Sequence, residues 1–300
     1  MNKNDFCNRR FLIIGGTTKA GTTSLYRYLK EHPQICASAL KETRFFLDAD
    51  STLPVKTKFD ESLDGYREFF LNCLMAEEKV LMEASPDYLC SRTALRIADL
   101  LPNAKMVFVL RDPVERMVSW YKYARQRGLL DSKVSFVEYV KFQFDNPVEL
   151  ATPGHYRALE EGQYSRYLKH FNDKMPNRVL LLAFDELKTS PGSMMKKICD
   201  FAGISSDYFD GYEYSVENAS AAVRYPKIEW AYNTLRRNVI HLVLGNERAM
   251  GFFRCINRYM KALMKVNRSS DESVVIDEAT LSRLRNYYAN EVVWMKNEIE

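Results

Sequence analysis

The sequence predicts an α/β fold with a central parallel β-sheet flanked by helices and with a helical C-terminal region. Short apolar runs alternate with amphipathic segments over the first two thirds of the chain, which is typical of a parallel sheet. A glycine-rich turn joins the first apolar run to the first helical segment, as in a P-loop-like architecture. Beyond about residue 203, helical periodicity with many basic residues replaces the strand signals.

The predicted elements follow from the spacing of apolar and turn residues. Apolar runs bounded by turn residues predict strands at Phe11–Gly15, Gln34–Ser38, Val80–Glu83, Lys105–Leu110 and Arg178–Phe184. Three- and four-residue apolar spacing predicts helices at Thr23–Glu31, Asp64–Met75, Arg92–Leu101, Val114–Arg127, Phe136–Phe144, Ser165–Met175, Met194–Ala202 and Glu278–Lys296. Gly128 is predicted to cap the C-terminus of the Val114–Arg127 helix. The segment 146–162 has no clear period and is predicted as a loop.

Length and composition predict a single domain over residues 1–300, with a core at about 8–203 and a helical part at about 204–300. A chain of 300 residues that is 46% hydrophobic can bury one large α/β core. Its six cysteines show no C-x-x-C pair or zinc spacing, which predicts reduced thiols. No signal peptide or membrane-spanning run is recognisable. The expected location is the cytoplasm, with a position at the inner face of the membrane as an alternative, and no nucleic-acid partner is predicted.

The first predicted strand leads into a loop that differs from a triphosphate-binding Walker loop. A Walker loop carries a lysine directly after its second glycine. Here Thr22 follows Gly21, and Lys19 lies two residues before that glycine. The glycines, the helix N-terminus and the hydroxyls still suit a phosphate. The sequence therefore predicts a site for a 5′-phosphate end, formed by Thr18, Lys19, Ala20, Gly21, Thr22, Thr23 and Ser24.

A second candidate site follows the most apolar predicted strand, Lys105–Leu110. This strand ends in Arg111, where a kinase or ATPase needs a carboxylate that holds Mg²⁺. Asp112, Pro113 and Glu115 form the pattern of a helix start. Ligands bind at the carboxyl ends of the strands in open α/β sheets. Arg111 is therefore predicted to bind a second anionic group.

Five segments resemble, in the same order, motifs of the PAPS-dependent sulfotransferase superfamily, in its bacterial and heparan-sulfate-type carbohydrate branch. Residues 16–25 resemble the 5′-phosphosulfate loop, and residues 111–121 resemble the 3′-phosphate motif R-D-P-x-x-R-x-x-S-x-Y. Lys41–Phe46 resembles K-E-x-x-F-F, and Glu83–Tyr88 resembles E-x-[ST]-P-x-Y. Gly162-Gln163-Tyr164 with Leu168 resembles G-x-Y-x-x-x-L. The resemblance spans about residues 11–170.

The resemblance implies the donor 3′-phosphoadenosine 5′-phosphosulfate (PAPS), the product adenosine 3′,5′-bisphosphate and no metal requirement. Glu42 aligns with the family's general base, and Lys19 aligns with the residue that stabilises or protonates the leaving oxygen. Arg111 and Ser119 align with ligands of the 3′-phosphate. The remaining candidates are acceptor contacts at Lys41 and His155 and a loop that closes the donor site at 219–227, with Arg224 and Tyr225.

The acceptor implied by the resemblance is a hydroxyl of a carbohydrate or glycolipid, with an amine as the alternative acceptor group. A bacterial polysaccharide, a lipid-linked sugar and a small alcohol all remain open. Ala84 stands where heparan sulfate O-sulfotransferases carry a lysine, which argues against a heparan-like acceptor contact there. Two other classes of protein are the alternatives. A P-loop nucleotide kinase needs a Walker lysine and a metal-binding carboxylate. A non-catalytic protein that binds polyanions or membrane surfaces does not need the set Lys19, Glu42, Arg111 and Ser119.

The segment 224–268 is strongly basic, with ten lysines and arginines against two acids, Glu229 and Glu247. Apolar residues recur within it at helical spacing: Phe252, Phe253, Ile256, Tyr259, Met260, Leu263 and Met264. The basic residues beside them are Arg254, Arg258, Lys261 and Lys265. This pattern predicts an amphipathic helix. Packing with a solvated rim, contact with an anionic membrane or polyanion, and an oligomer interface all fit it, and the oligomeric state is left open.

Overall fold

The computed structural model describes residues 3–51, 53, 55–73, 79–131, 133–146, 148–149, 152–215, 222–223, 228, 231–232, 235–236, 239, 247–264, 268–269, 274 and 276–299. The chain divides into two compact units. The first comprises Met1–Arg116, Glu161–Glu217 and Asn286–Glu300, and the second comprises Met117–Glu160 and Asn218–Arg285. No helix formed by the described residues is both long and apolar enough to cross a membrane.

The first unit is built on a five-stranded parallel sheet, which confirms the predicted fold class. Its strands are β1 (Phe11–Gly16), β2 (Ile35–Ala37), β3 (Val80–Ala84), β4 (Ala104–Leu110) and β5 (Val179–Ala183). Their spatial order is β2-β3-β1-β4-β5. Phe11 lies opposite Leu81 of β3 on one side and opposite Ala104 of β4 on the other. All five predicted strands are present, with ends shifted by one or two residues.

Helices alternate with these strands and extend to the C-terminus. They are α1 (Lys3–Cys7), α2 (Thr22–Glu31), α3 (Asp64–Arg67), α4 (Ile97–Leu100), α5 (Pro113–Gln126), α6 (Phe136–Asp145), α7 (Tyr164–Lys174), α8 (Phe184–Thr189), α9 (Pro191–Ala202), α10 (Glu247–Met264), α11 (Glu278–Tyr287) and α12 (Ala289–Ile299). Short 3₁₀ helices lie at Glu68–Cys73, Pro86–Cys90, Thr93–Arg96, Gly154–Tyr156, Glu160–Gly162 and Asp207–Phe209. In the second unit, β6 (Ala222–Val223) pairs antiparallel with β7 (Arg268–Ser269).

Successive strand residues point to opposite faces of the sheet, and each face is covered by other parts of the chain. On one face, Leu12 and Ile14 belong to a core cluster with Leu25 of α2 and Ile198 of α9. On the other face, Phe11 lies against the ring of Tyr66, with ring centroids 5.9 Å apart. Burial on both sides explains why the strands are almost continuously apolar.

In the structure, the helix predicted over Glu278–Lys296 is interrupted. It consists of α11 and α12, and the fully buried Tyr288 lies between them. A Cβ atom added at Gly162 would lie 2.5 Å from the Tyr288 hydroxyl, so this ring is closely packed. Glu291 of α12 accepts hydrogen bonds from the Ser165 amide at 2.8 Å and the Ser165 hydroxyl at 2.7 Å. These contacts with residues distant in the sequence place the break in the helix at Tyr288. Local periodicity does not reveal them.

Three other helical segments differ in detail from the sequence-based expectation. The segment predicted as one helix from Asp64 becomes a 3₁₀ helix after Arg67, with a non-helical backbone at Phe70. The segment predicted over Arg92–Leu101 begins as a 3₁₀ turn and becomes α4. Helix α8 follows β5 directly and was not predicted.

The expectation of six reduced thiols is wrong for two of them. Cys36 on β2 and Cys73 in the first unit form a disulfide, with their Cα atoms 5.7 Å apart and a sequence separation of 37. Cys7, Cys90, Cys199 and Cys255 do not take part in a disulfide. Stable disulfides are typical of oxidising compartments. The expectation of a cytoplasmic location therefore loses the support that it drew from the cysteines.

Candidate functional site

The loop between β1 and α2 is held in place by backbone hydrogen bonds. The Thr17 amide donates to the carbonyl of Val109 on β4 at 2.9 Å, and the Ala20 amide donates to the Thr17 carbonyl at 3.3 Å. Thr17 and Ala20 are buried. Lys19 adopts a left-handed backbone, with φ of 69°. The loop is therefore a packed turn with a defined shape.

Gly21 ends this loop and is the N-cap of α2. Its φ is 77°, and an added Cβ atom would lie 2.5 Å from Leu187 and 2.9 Å from Phe184. Only glycine fits a left-handed position against these side chains. No side chain caps the first turn of α2. The amides at Thr22, Thr23 and Ser24 thus form a helix N-terminus suited to an anion.

Arg111 emerges from the end of β4 and contacts the loop, as predicted for its position. Its Nη1 donates to the Lys19 carbonyl at 3.3 Å, and its guanidinium lies 4.9 Å from the Phe184 ring centroid. Its Nε and Nη2 donate to Glu115 at 3.2 and 3.1 Å. The Arg111 side chain remains 21% exposed. A cation is therefore attached to the loop and still accessible.

Arg116 is a residue that the sequence-based reasoning did not name as a site residue. It is fully buried, its Nη1 donates to the Thr18 hydroxyl at 3.3 Å, and it lies 3.7 Å from the Glu161 carboxylate. Burial by itself lowers the pKa of Arg116, but Tyr164 and Glu161 raise it overall. Arg116 is the second arginine of the R-D-P-x-x-R pattern, so the motif held the signal. Its hydrogen bond to Thr18 supports the loop between β1 and α2 from the buried side.

Glu42 lies at the carboxyl end of β3. Its backbone is left-handed, with φ of 65°, and its amide donates to the Ala84 carbonyl at 2.8 Å. Lys41 Nζ donates to one carboxylate oxygen at 2.9 Å, and Arg44 Nη2 donates to the other at 2.9 Å. The Glu42 side chain is 34% exposed. The carboxylate is therefore oriented by two cations and still reaches solvent.

Arg44 connects Glu42 to a second carboxylate. Its Nε donates to Asp87 at 3.0 Å, and its amide donates to the Ser85 hydroxyl at 3.0 Å. Burial raises the pKa of Asp87, although the Arg44 guanidinium opposes this shift. One guanidinium thus spans the Lys41–Phe46 segment and the turn that follows β3.

Glu83 is a second residue that the sequence-based reasoning left without a role. This fully buried carboxylate accepts hydrogen bonds from four hydroxyls, those of Thr43 at 2.6 Å, Tyr66 at 2.9 Å, Ser85 at 2.9 Å and Tyr88 at 3.0 Å. Burial raises its pKa, although these four donors oppose the shift. The E-x-[ST]-P-x-Y pattern supplies the carboxylate and two of the donors. The bond to Thr43 anchors the residue next to Glu42.

The structure brings three of these features to one edge of the sheet. β1 lies between β3 and β4, and all three strands are parallel, so their carboxyl ends are neighbours. Glu42 follows the end of β3 through its bond to Ala84, the loop follows β1, and Arg111 follows β4. The Ser85 amide also donates to the Ile14 carbonyl at 3.0 Å, which ties the β3 end to β1. This edge is where open α/β sheets bind ligands.

The remaining predicted site residues lie elsewhere or outside the described residues. Ser119 is half-buried on α5, in the second unit. His155 also belongs to the second unit, where burial lowers its pKa and its carbonyl accepts from the Tyr139 hydroxyl at 2.5 Å. Arg224 and Tyr225 lie outside the residues that the structure describes. Tyr164 and Leu168 are fully buried, as expected for core packing.

Comparisons with known proteins identify relatives of this chain. The chain is 30% identical over 214 residues to human bifunctional heparan sulfate N-deacetylase/N-sulfotransferase 2, which covers 68% of this chain and 23% of the relative. It is also 30% identical over 217 residues to mouse bifunctional heparan sulfate N-deacetylase/N-sulfotransferase 3, covering 69% and 24%. The chain therefore spans about a quarter of the length of these relatives.

A solved structure and a family profile agree with these relatives. The structure of a sulfotransferase from Alicyclobacillus acidocaldarius is similar at a TM-score of 0.58 and 28% identity, covering 78% of this chain and 94% of that one. The profile described as "Sulfotransferase domain" matches residues 9–234, which is well over half of the chain. The protein therefore belongs to the sulfotransferase family.

Proposed function

We propose that this sulfotransferase uses PAPS as its donor and transfers the sulfuryl group to an amino sugar within a carbohydrate. The main support for the proposal is the hydrogen bond that Arg111 donates to the Lys19 carbonyl. This bond lies beside the N-terminus of α2, where the N-cap residue Gly21 makes no side-chain cap. A donor with phosphates at both the 5′ and 3′ positions needs two neighbouring anion sites. A helix N-terminus and a guanidinium supply these two sites.

The residues present fit this donor better than a triphosphate. The amides and hydroxyls of Thr22, Thr23 and Ser24 suit the 5′-phosphate, and Arg111 suits the 3′-phosphate. The Walker lysine, which reaches β- and γ-phosphates, is replaced by Thr22.

The proposed chemistry rests on charge stabilisation and one proton transfer. PAPS, when bound, supplies a sulfuryl group on a 5′-phosphate that gains negative charge as the sulfuryl group leaves. Lys19 and the amides at Gly21–Thr23 stabilise that charge. Glu42 accepts the proton that the acceptor loses. Each carboxylate oxygen has two lone pairs, so the bonds to Lys41 and Arg44 orient Glu42 and leave it able to accept a proton.

The acceptor is assigned to an amine of a carbohydrate because the relatives are named heparan sulfate N-sulfotransferases. A neutral amine loses one proton when it gains a sulfuryl group, which matches one base, Glu42. Lys41, which donates to the Glu42 carboxylate, is a proposed acceptor contact. A lipid-linked sugar or a glycolipid carries the same amino sugar chemistry.

Calorimetric titration with EDTA present tests the donor. Adenosine 3′,5′-bisphosphate should bind more tightly than ATP, and Arg111→Ala should weaken its binding by about 2–4 kcal/mol. The matched control is Arg27→Ala, which removes an exposed arginine paired with Glu31 on α2. Tighter binding of ATP with Mg²⁺ would reject the proposal in favour of a kinase-type site.

An acceptor assay with radiolabelled PAPS tests the reaction. Oligosaccharides with free glucosamine amines should accept label, and the same oligosaccharides after N-acetylation should not. Glu42→Gln serves as the inactive reference. Equal labelling of the acetylated oligosaccharides would show that a hydroxyl, and not the amine, is the acceptor group.

A further inference from the structure

Helix α10 in the second unit exposes a line of large apolar side chains. Phe252 is 71% exposed, Ile256 46%, Tyr259 70% and Leu263 51%. Steps of four, three and four residues place these side chains on one side of an α-helix. Single exposed apolar residues are ordinary, but a continuous stripe marks an interaction surface. We call these four residues the apolar stripe.

The helix is attached to its own unit by a different side. Phe253, Asn257 and Met260 are half-buried, and the Tyr232 hydroxyl donates to the Asn257 side chain at 2.7 Å. By helical spacing, Phe253, Asn257 and Met260 share a side next to the apolar stripe. The stripe is therefore presented outward by a helix that is already anchored.

The charge of α10 restricts what the apolar stripe can bind. The helix contains Arg248, Arg254, Arg258 and Lys261 against the single acid Glu247, and Arg258 is exposed. A second copy of this helix would bring like charges together, which opposes self-association. A soluble anionic glycan would satisfy the charges but would leave the four apolar side chains in water. An anionic lipid bilayer satisfies both the charges and the stripe.

We infer that α10 is a peripheral docking helix that binds the surface of an anionic lipid bilayer. The apolar stripe enters the boundary between headgroups and acyl chains, and the exposed Arg258 reaches the lipid phosphates. Because the helix is not apolar enough to cross a membrane, it lies in the plane of the interface. The inference does not depend on the donor or the acceptor, so it can fail while the proposed function holds.

Co-sedimentation of the full chain with vesicles tests this inference. Binding is expected to vesicles of phosphatidylglycerol and phosphatidylcholine, to be much weaker to phosphatidylcholine alone, and to fall with salt. Replacing the four residues of the apolar stripe by serine should lower partitioning by at least about tenfold. Arg258→Gln should lower it by about fivefold at low salt.

The matched control replaces four exposed apolar residues that do not form a stripe. Leu71, Leu129, Phe142 and Val293 are 49%, 46%, 44% and 58% exposed. Their replacement by serine should leave vesicle binding unchanged. Circular dichroism and thermal unfolding of each variant report whether the chain, including the second unit that contains α10, is folded.

Three outcomes would overturn the inference. The first is no binding to anionic vesicles at low salt by the unmodified chain. The second is equal vesicle binding by the stripe variant and the scattered control. The third is a concentration-dependent mass in light scattering that the stripe variant abolishes, without vesicle binding, which would identify a second copy as the occupant.

Discussion

Glu42 combines an unusual backbone with a fully paired side chain. The left-handed backbone directs its amide to Ala84, and Lys41 and Arg44 each hold one carboxylate oxygen. A carboxylate with fixed orientation and partial access to solvent is suited to accept a proton from a bound group. Arg44 also binds Asp87, so the position of Glu42 depends on a residue after β3.

Glu42→Gln tests the proposed proton transfer. The amide has nearly the same shape but cannot accept the proton, so kcat should fall about a hundredfold or more while donor affinity stays nearly unchanged. Steady-state kinetics and calorimetry with adenosine 3′,5′-bisphosphate measure the two quantities. Glu61→Gln is the control, because Glu61 is also left-handed, with φ of 67°, and is ion-paired with Arg96. Near-normal turnover of the Glu42 variant would point to another base, with His155 the next to test.

Glu83 makes stability depend on pH, and the sign follows from its raised pKa. The native carboxyl keeps its proton above the ordinary value of 4.5, where the unfolded chain has lost it. The native state therefore binds more protons in this range, and the free energy of unfolding falls as the pH rises. The stability that Glu83 contributes is fully present below the pKa of its carboxyl in the unfolded chain. It is lost as the pH rises through the higher pKa of this carboxyl in the native state.

Comparison with Glu83→Gln isolates this effect, because glutamine does not titrate. The free energy of unfolding of the unmodified protein, relative to that of the variant, should fall with pH above about 4.5, by at most about 1.4 kcal/mol per pH unit. Asp87, whose pKa is also raised by burial, is present in both proteins and cancels. Denaturant unfolding at several pH values gives the curve. A difference that is flat or rises with pH would contradict a raised native pKa.

At the scale of elements, the junction between α2 and the loop that precedes it depends on Gly21. Gly21 combines a left-handed backbone with close contact to Leu187 and Phe184 of α8. Helix α8, which was not predicted, therefore sets the space beside the anion site. The local sequence around Gly21 reveals the turn, but it does not reveal which side chains lie against it.

Gly21→Ala and Gly128→Ala separate backbone strain from steric overlap. Both glycines are left-handed, with φ of 77° and 66°, but an added Cβ atom at Gly128 meets nothing within 4 Å. Gly128→Ala should cost about 1 kcal/mol of stability from the backbone alone. Gly21→Ala should cost about 1–3 kcal/mol more and should also weaken binding of adenosine 3′,5′-bisphosphate. Equal losses of stability and unchanged binding in both variants would show that the loop tolerates the extra atom.

At the scale of the whole molecule, the Cys36–Cys73 disulfide joins β2 to a segment 37 residues away. The segment between them includes Lys41–Phe46 and hence Glu42. Closing this segment reduces the freedom of the unfolded chain and thereby stabilises the folded one. Disulfides are typical of oxidising compartments, so the redox state of these two cysteines in the cell tests the expected cytoplasmic location.

Reduction of the disulfide should lower stability by a measurable amount. For a separation of 37 residues, the loss expected from chain entropy is about 4 kcal/mol. Unfolding with and without a phosphine reductant measures it, and the Cys36→Ser/Cys73→Ser variant should be less stable and insensitive to reductant. Cys255→Ser, which changes an exposed free thiol, is the control. Equal stability with and without reductant would show that the bridge contributes little.

Short-range patterns in the sequence were sufficient for the order of strands and helices and for several site residues. Apolar runs with turn residues identify β1 to β5, because strands buried on both faces are almost wholly apolar. Gly21, Lys19, Glu42 and Arg111 stand in motifs whose spacing is local. Their placement at one edge follows from the parallel order of strands, which the alternation of strands and helices predicts.

Tertiary structure decided what depends on partners distant in the chain. The burial of Arg116 and Glu83, the pairing of Cys36 with Cys73 and the break at Tyr288 each depend on contacts between separated segments. Periodicity predicted an amphipathic α10, but only the fold shows that its apolar stripe faces outward, because a local pattern cannot tell which side a neighbouring segment will cover. The physical reason is the same in each case: propensity and periodicity act over a few residues, whereas burial and pairing are set by where the whole chain comes together.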